Sequence, residues 1–154
     1  MREVPKKNYL ITLLIFVAIV ILTITLSNIY KNQIRKTSIM YNYLSEIKNK
    51  DLSTYLLEKP NIIIYISDKY DISKEKLEEK LKRDMINYNI SDYFVFLNID
   101  QNNLEFIDQL NKKYTGNIDK KIPTFIVFEE GKIKKYYSDL ENINLAEITG
   151  EIKW

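Results

Sequence analysis

The chain opens with a short basic tail, residues 1–8, followed by an uncharged apolar run from Tyr9 to Ile29, YLITLLIFVAIVILTITLSNI. At about 1.5 Å per residue, a helix over this run covers the roughly 30 Å hydrocarbon core of a bilayer. It shows no polar stripe of the kind a buried helix of a globular protein presents. The pattern therefore predicts a single membrane-spanning helix over 9–29, with the lipid bilayer as its partner. A cleaved signal peptide is the rival reading, but such apolar regions run to about 15 residues and end at an Ala-x-Ala-like site. Here the flank reads Thr25-Leu26-Ser27. Arg2, Lys6 and Lys7 on one side nearly balance Lys31, Arg35 and Lys36 on the other, so the positive-inside rule leaves orientation open.

Residues 30–37 are polar and basic and either extend that helix or form a stalk, and a domain over 38–154 follows. Ile39 to Leu44 reads as a first strand. Leu52, Tyr55 and Leu56 give a helix over 51–58 that Pro60 ends. Ile62-Ile63-Ile64-Tyr65-Ile66 is a continuous apolar run rich in β-branched residues, the mark of a strand covered on both faces. From Ser73 to Tyr88, Leu77, Leu81 and Met85 form an apolar stripe, and the Lys and Glu residues on the other faces are expected in solvent. Asp71 or Ser73 caps its start. Tyr93 to Ile99 is a second buried strand. Leu104, Ile107, Leu110 and Tyr114 mark a helix with Gly116 as its stop. Thr124–Phe128 and Lys132–Tyr137 flank Glu130-Gly131, a hairpin signal, and a short helix over 143–152 closes the chain. The order β-α-β-α-β-α-β-β-α predicts an α/β fold: a central mixed sheet flanked by helices, its parallel strands joined by right-handed crossovers and a hairpin at one edge.

Composition narrows the chemistry. Lys and Arg total 23 against 21 Asp and Glu, and the tail accounts for the whole excess, leaving residues 30–154 balanced. A nucleic-acid partner is not expected, because such proteins concentrate a basic excess. The 154 residues contain no cysteine and no histidine. That excludes disulfides, thiol nucleophiles, imidazole bases and the usual zinc sites. No phosphate loop or dinucleotide fingerprint is present, and no cofactor or metal is expected.

Two phrases add a family. Leu97-Asn98-Ile99-Asp100-Gln101-Asn102 looks like the central strand and exit of the thioredoxin family. Ile122-Pro123-Thr124-Phe125-Ile126-Val127-Phe128, followed by Glu129-Glu130-Gly131-Lys132, looks like its cis-proline strand and hairpin. The similarity runs from about Ile39 to the end, and the chain resembles a membrane-anchored bacterial thioredoxin-like protein. The resemblance implies a cis bond before Pro123, whereas the bland alternative is a trans proline opening an edge strand. It also implies that Tyr70-Asp71-Ile72-Ser73 occupies the Cys-x-x-Cys turn, with Tyr70 and Ser73 in place of the two cysteines. The family's buried acid then falls at Ile64 and the lysine near it at Phe96, both apolar.

Thiol–disulfide exchange needs a thiolate, so the resemblance implies a redox-inactive domain with no enzyme activity. The expected role is a membrane-tethered interaction or accessory module for a protein or peptide partner, its groove lined by Tyr70, Ile72, Ile122, Pro123 and Thr124. The expected location is the bacterial cell membrane, with the domain on the outer side. The alternatives are an oxidoreductase working through partner cysteines and a purely structural subunit of a membrane complex. Asp68 and Asp71 are read as turn and cap formers rather than a catalytic carboxylate pair. Lys112-Lys113 and Lys120-Lys121 are read as solvated loop charges.

Overall fold

A computed structural model describes residues 6–34, 37–100 and 102–150. The chain divides into two compact units, Met1–Lys36 and Thr37–Trp154. The described residues of the first form one helix, α1 (Lys6–Ile34). Its stretch Ile11–Lys31 has a mean hydropathy of 2.5 and is long and apolar enough to cross a membrane. Side chains such as Leu13, Phe16 and Leu22 stay exposed. Thr23 and Thr25 donate their hydroxyls to the carbonyls of Ile19 and Ile21, at 2.9 and 2.8 Å. These two hydroxyls are thus satisfied within the helix. The helix continues through Tyr30 to Ile34, so the basic segment extends it; Arg35 and Lys36 lie outside the described residues.

The second unit is mixed α/β. Its elements are α2 (Ile39–Tyr43), β1 (Glu46–Ile47), α3 (Leu52–Glu58), β2 (Ile62–Ser67), α4 (Glu75–Tyr88), β3 (Phe94–Asn98), α5 (Glu105–Tyr114), β4 (Thr124–Glu129), β5 (Lys132–Tyr137) and α6 (Leu145–Gly150). They form a five-stranded sheet in the order β1-β3-β2-β4-β5. β1, β3 and β2 run parallel, while β4 is antiparallel to both β2 and β5.

Strand periodicity distributes the core. Ile63 and Tyr65 of β2 join Phe94, Phe96, Phe125 and the apolar sides of α2, α4 and α6 on one face. Ile62, Ile64 and Ile66 join Val95, Leu97 and the α3 and α5 side chains on the other. Because successive side chains alternate faces and both faces are covered, every position of β2 is buried. At the β4–β5 hairpin, Glu130 and Gly131 both have positive φ, 52° and 72°, the requirement of a two-residue type I′ loop. The Glu130 N–H donates to Asn61 Oδ1 and the Gly131 N–H to the Pro60 carbonyl, at 2.8 and 2.9 Å, which fastens the hairpin tip.

Three expectations are corrected. The segment expected as a first strand, Ile39 to Leu44, is helical over Ile39–Tyr43, and the edge strand is the two-residue Glu46–Ile47. Met40 and Leu44 share one face at a spacing of four, and the Ser38 hydroxyl accepts from the Tyr41 N–H as a helix cap. The stop of α5 is Thr115, left-handed at φ 55°, and not Gly116. Gly116 instead keeps space, since a Cβ there would lie 2.7 Å from Ile133 Cδ1. Finally, not every charge of α4 is solvated: Glu78 is 1% exposed.

Candidate functional site

Parallel β2 and β3 end at the same edge of the sheet, where β4 begins, so their exits and the approach to β4 meet there. The exit of β2 is shaped by two aspartates. Asp68 Oδ1 accepts from the Tyr70 N–H at 2.8 Å, and the Asp68 carbonyl accepts from the Asp71 N–H at 3.0 Å. Asp71 Oδ1 then accepts from the Ser73 N–H at 2.9 Å, starting the 3-10 turn Ile72–Lys74 that leads into α4. These side-chain-to-backbone turns are what short acidic residues do before a helix. The Lys69 N–H donates to Asn98 Oδ1 at 3.0 Å and ties the turn to the end of β3.

On the approach to β4, the Ile122–Pro123 peptide is cis. Asn111 spans the preceding loop, donating Nδ2 to the Ile118 carbonyl and accepting from the Ile118 N–H, at 2.9 and 2.7 Å. Between this approach and the β2 turn lies a cavity of about 730 Å³. Asp71 and Ser73 border it on one side, Ile122 and Pro123 on another, with Leu77, Leu104 and Leu140 completing its apolar lining. Lys74, Lys76, Lys120 and Lys121 also border it, as do Asp139 and Glu141.

The residues singled out from the sequence are therefore not all together. Asp71, Ser73, Ile122 and Pro123 share the cavity. Tyr70 and Ile72 stand 66% and 55% exposed on the turn beside it, and Lys69 Nζ lies 5.0 Å from the Tyr70 ring centroid, a cation–π contact. Thr124 is 0% exposed, opposite Ile66, and donates its hydroxyl to the Tyr137 carbonyl at 2.8 Å, so that it serves the sheet. Ile64 and Phe96, expected as neighbours, pack on opposite faces; the residue paired with Phe96 is Tyr65.

On that face lies a polar cluster that the sequence reading missed. The Glu78 carboxylate accepts from Ser38 Oγ at 2.8 Å, Tyr65 Oη at 2.9 Å, and the N–H groups of Ile39 and Met40 at 2.7 and 3.3 Å. A side chain from α4 thus caps the start of α2, where unpaired N–H groups favour an anion. Burial pushes the Glu78 carboxyl up from its ordinary range, and the four donors pull against that rise. The Tyr65 phenol is pushed well up, first by burial and then by the Glu78 charge. A signal did exist: Glu78, Leu81 and Met85 stand at i, i+3 and i+7, which puts a carboxylate on the apolar face.

Chemically, the cavity offers the hydroxyls of Ser73 and Ser138, with no imidazole anywhere in the chain to activate them and no thiol. Among the described residues no group of three or more acidic side chains gathers in a way that would hold a metal ion. The chain matches no protein-family model and no curated protein.

Proposed function

We propose that the protein is a membrane-tethered, redox-inactive thioredoxin-like module that binds extended polypeptide beside Ile122 and Pro123. The sheet order β1-β3-β2-β4-β5, three parallel strands with an antiparallel hairpin, supports that fold class. The observation that carries the function is the cavity of about 730 Å³ at the carboxyl ends of the parallel strands, the position at which open α/β sheets hold their ligands. With no cysteine in the chain, what this position retains is shape and backbone. Strand addition to an extended peptide needs no reactive side chain. α1 is the tether, in a bacterial cell membrane, and the domain lies on its outer side.

The test uses the full chain in nanodiscs. A photoreactive amino acid in place of Ser73 should crosslink an extended synthetic peptide, and the same probe in place of exposed Leu57 on α3 should not. Equal crosslinking at both sites, or none at Ser73, would sink the binding reading. Turnover in a disulfide-reductase assay would overturn the redox-inactive half. Because the chain lacks cysteine, Leu57→Cys and Asn8→Cys are each uniquely labelled. A membrane-impermeant maleimide should reach the first on intact cells and not the second; the reverse pattern would refute the orientation.

A further inference from the structure

Among the described residues of the domain, the exposed large hydrophobic side chains are Leu57, Tyr70, Ile72, Ile86 and Tyr88. Leu57 stands alone at the end of α3, and Ile86 and Tyr88 lie at the end of α4, about 20 Å along that helix from its start. Tyr70 and Ile72 share one short turn, which Asp68, Asp71 and Asn98 hold rigidly through the N–H groups of Tyr70, Ser73 and Lys69. The Ser38 N–H donates to the Lys69 carbonyl at 2.7 Å, so this turn is fastened to the segment that follows α1. Ser38 comes four residues after Ile34, the last residue of α1, and four residues span at most about 14 Å whatever their path. Ile34 itself lies about 4.5 Å of helix beyond Lys31, where the apolar stretch ends. Covalent length therefore keeps Tyr70 and Ile72 within reach of the lipid surface from which α1 emerges.

We propose that Tyr70 and Ile72 dock on the surface of the bilayer that α1 spans, seating their turn among the lipid headgroups. This rests on the reading of α1 as the tether and is independent of the reading of the cavity as a polypeptide groove. Tyrosine suits that depth, because its ring leaves water while its hydroxyl stays wet. Charge is not the driving force: Asp68, Asp71 and Glu75 match Lys69, Lys74 and Lys76, so residues 68–76 carry no net charge. The Lys69 ammonium lies 5.4 Å from the Tyr41 ring centroid and 5.0 Å from that of Tyr70, held against aromatic faces. Burying the exposed part of Ile72 shifts the docked-to-free ratio by about tenfold. Because the tether makes docking intramolecular, contributions of this size suffice. Asp71 and Ser73 of the same turn border the cavity, which docking brings to the level of the headgroups.

The chain lacks cysteine, so Lys74→Cys, Leu57→Cys and Val17→Cys each carry a spin label at one place. The full chain in zwitterionic nanodiscs is measured for collisions with oxygen, which concentrates in lipid, and with a nickel chelate, which stays in water. The Val17 label should meet mostly oxygen and the Leu57 label mostly nickel, with the Lys74 label between them. Tyr70→Ser/Ile72→Ser should move the Lys74 label to the Leu57 value, while Ile86→Ser/Tyr88→Ser, which removes an equally exposed pair, should not. Raising the salt from about 0.1 M to about 1 M should leave the Lys74 label in place, because the turn is neutral. Circular dichroism of each variant, unchanged from wild type, shows that it is folded. A Lys74 label that matches Leu57 in the otherwise unaltered chain overturns the docking while the tether reading survives; a water-like label at Val17 overturns both. If the Lys74 signature survives loss of Tyr70 and Ile72, or disappears at high salt, the apolar pair is not what docks and the proposal is wrong.

Discussion

Glu78 should be the polar residue on which the start of the domain depends most. Replacing it by alanine removes the acceptor for the hydroxyls of Ser38 and Tyr65 and for the N–H groups of Ile39 and Met40. A buried donor left without a partner costs about 1–3 kcal/mol. Four such donors set an upper bound that the chain will not reach. The hydroxyls reorient, and Ile39 is half-buried, so water replaces one bond cheaply. About two orphaned donors remain, for a loss of roughly 3 kcal/mol. At several degrees per kcal/mol for a domain of this size, the melting temperature falls by about 10 °C. Glu78→Gln keeps the shape and one acceptor oxygen but aims an amide at donors, and is expected to lose about half as much. Exposed Glu79 is the control, with Glu79→Ala staying within about 0.5 kcal/mol. Thermal unfolding in nanodiscs gives the total, and hydrogen exchange localises it. The Ile39 and Met40 amides should lose protection before those of β2 and β3. If Glu78→Ala melts within about 2 °C of wild type, or the Ile39 and Met40 amides remain as protected as before, the clamp reasoning is wrong.

The remaining predictions concern pH, space and the apolar helix. The folded-state pKa of Glu78 lies above its unfolded value, so the folded state holds the proton more tightly. The stability from this group is present below about pH 4.5 and falls as pH rises through the folded value. Glu78→Gln should flatten that slope in a series of urea titrations, and an unchanged slope would count against it. Tyr65 behaves likewise at the alkaline end. Its contribution is intact below about pH 10 and declines above it, and Tyr65→Phe should remove that part of the decline. Gly116→Ala pushes a methyl group against Ile133 Cδ1 and should cost about 1 kcal/mol. Combined with Ile133→Val, which deletes that atom, the loss should be less than additive; strict additivity in a double-mutant cycle would refute the contact. Alkaline carbonate should fail to extract the wild-type chain from membranes, whereas Val17→Arg in the middle of α1 should weaken its retention.

Much of the fold was legible because local patterns and tertiary placement agreed. The β2 run, the stripe of α4 and the Glu130-Gly131 turn each follow from a period or a required φ that no distant contact alters. Ile39 to Leu44 was misread because a short apolar stretch suits helix and strand alike. What decides it is Glu78, placed thirty-eight to forty residues later in the chain, which completes the helix start.

The candidate site divides in the same way. The missing cysteines and histidines are compositional facts, and they settle what chemistry is out of reach before any folding is considered. Asp71, Ser73, Ile122 and Pro123 were recognisable as words, and the tertiary structure brought them around one cavity. It turned Thr124 into the sheet, left Tyr70 and Ile72 on the exposed turn, and placed Tyr65 rather than Ile64 beside Phe96. The physical reason is register: a shift of one position along a strand moves a side chain to the other face. By itself the sequence determined an uncharged run of membrane-spanning length and a domain without thiols. Only the packed sheet decided which of its polar residues meet, because hydrogen bonds such as those of Glu78 join positions far apart in the chain.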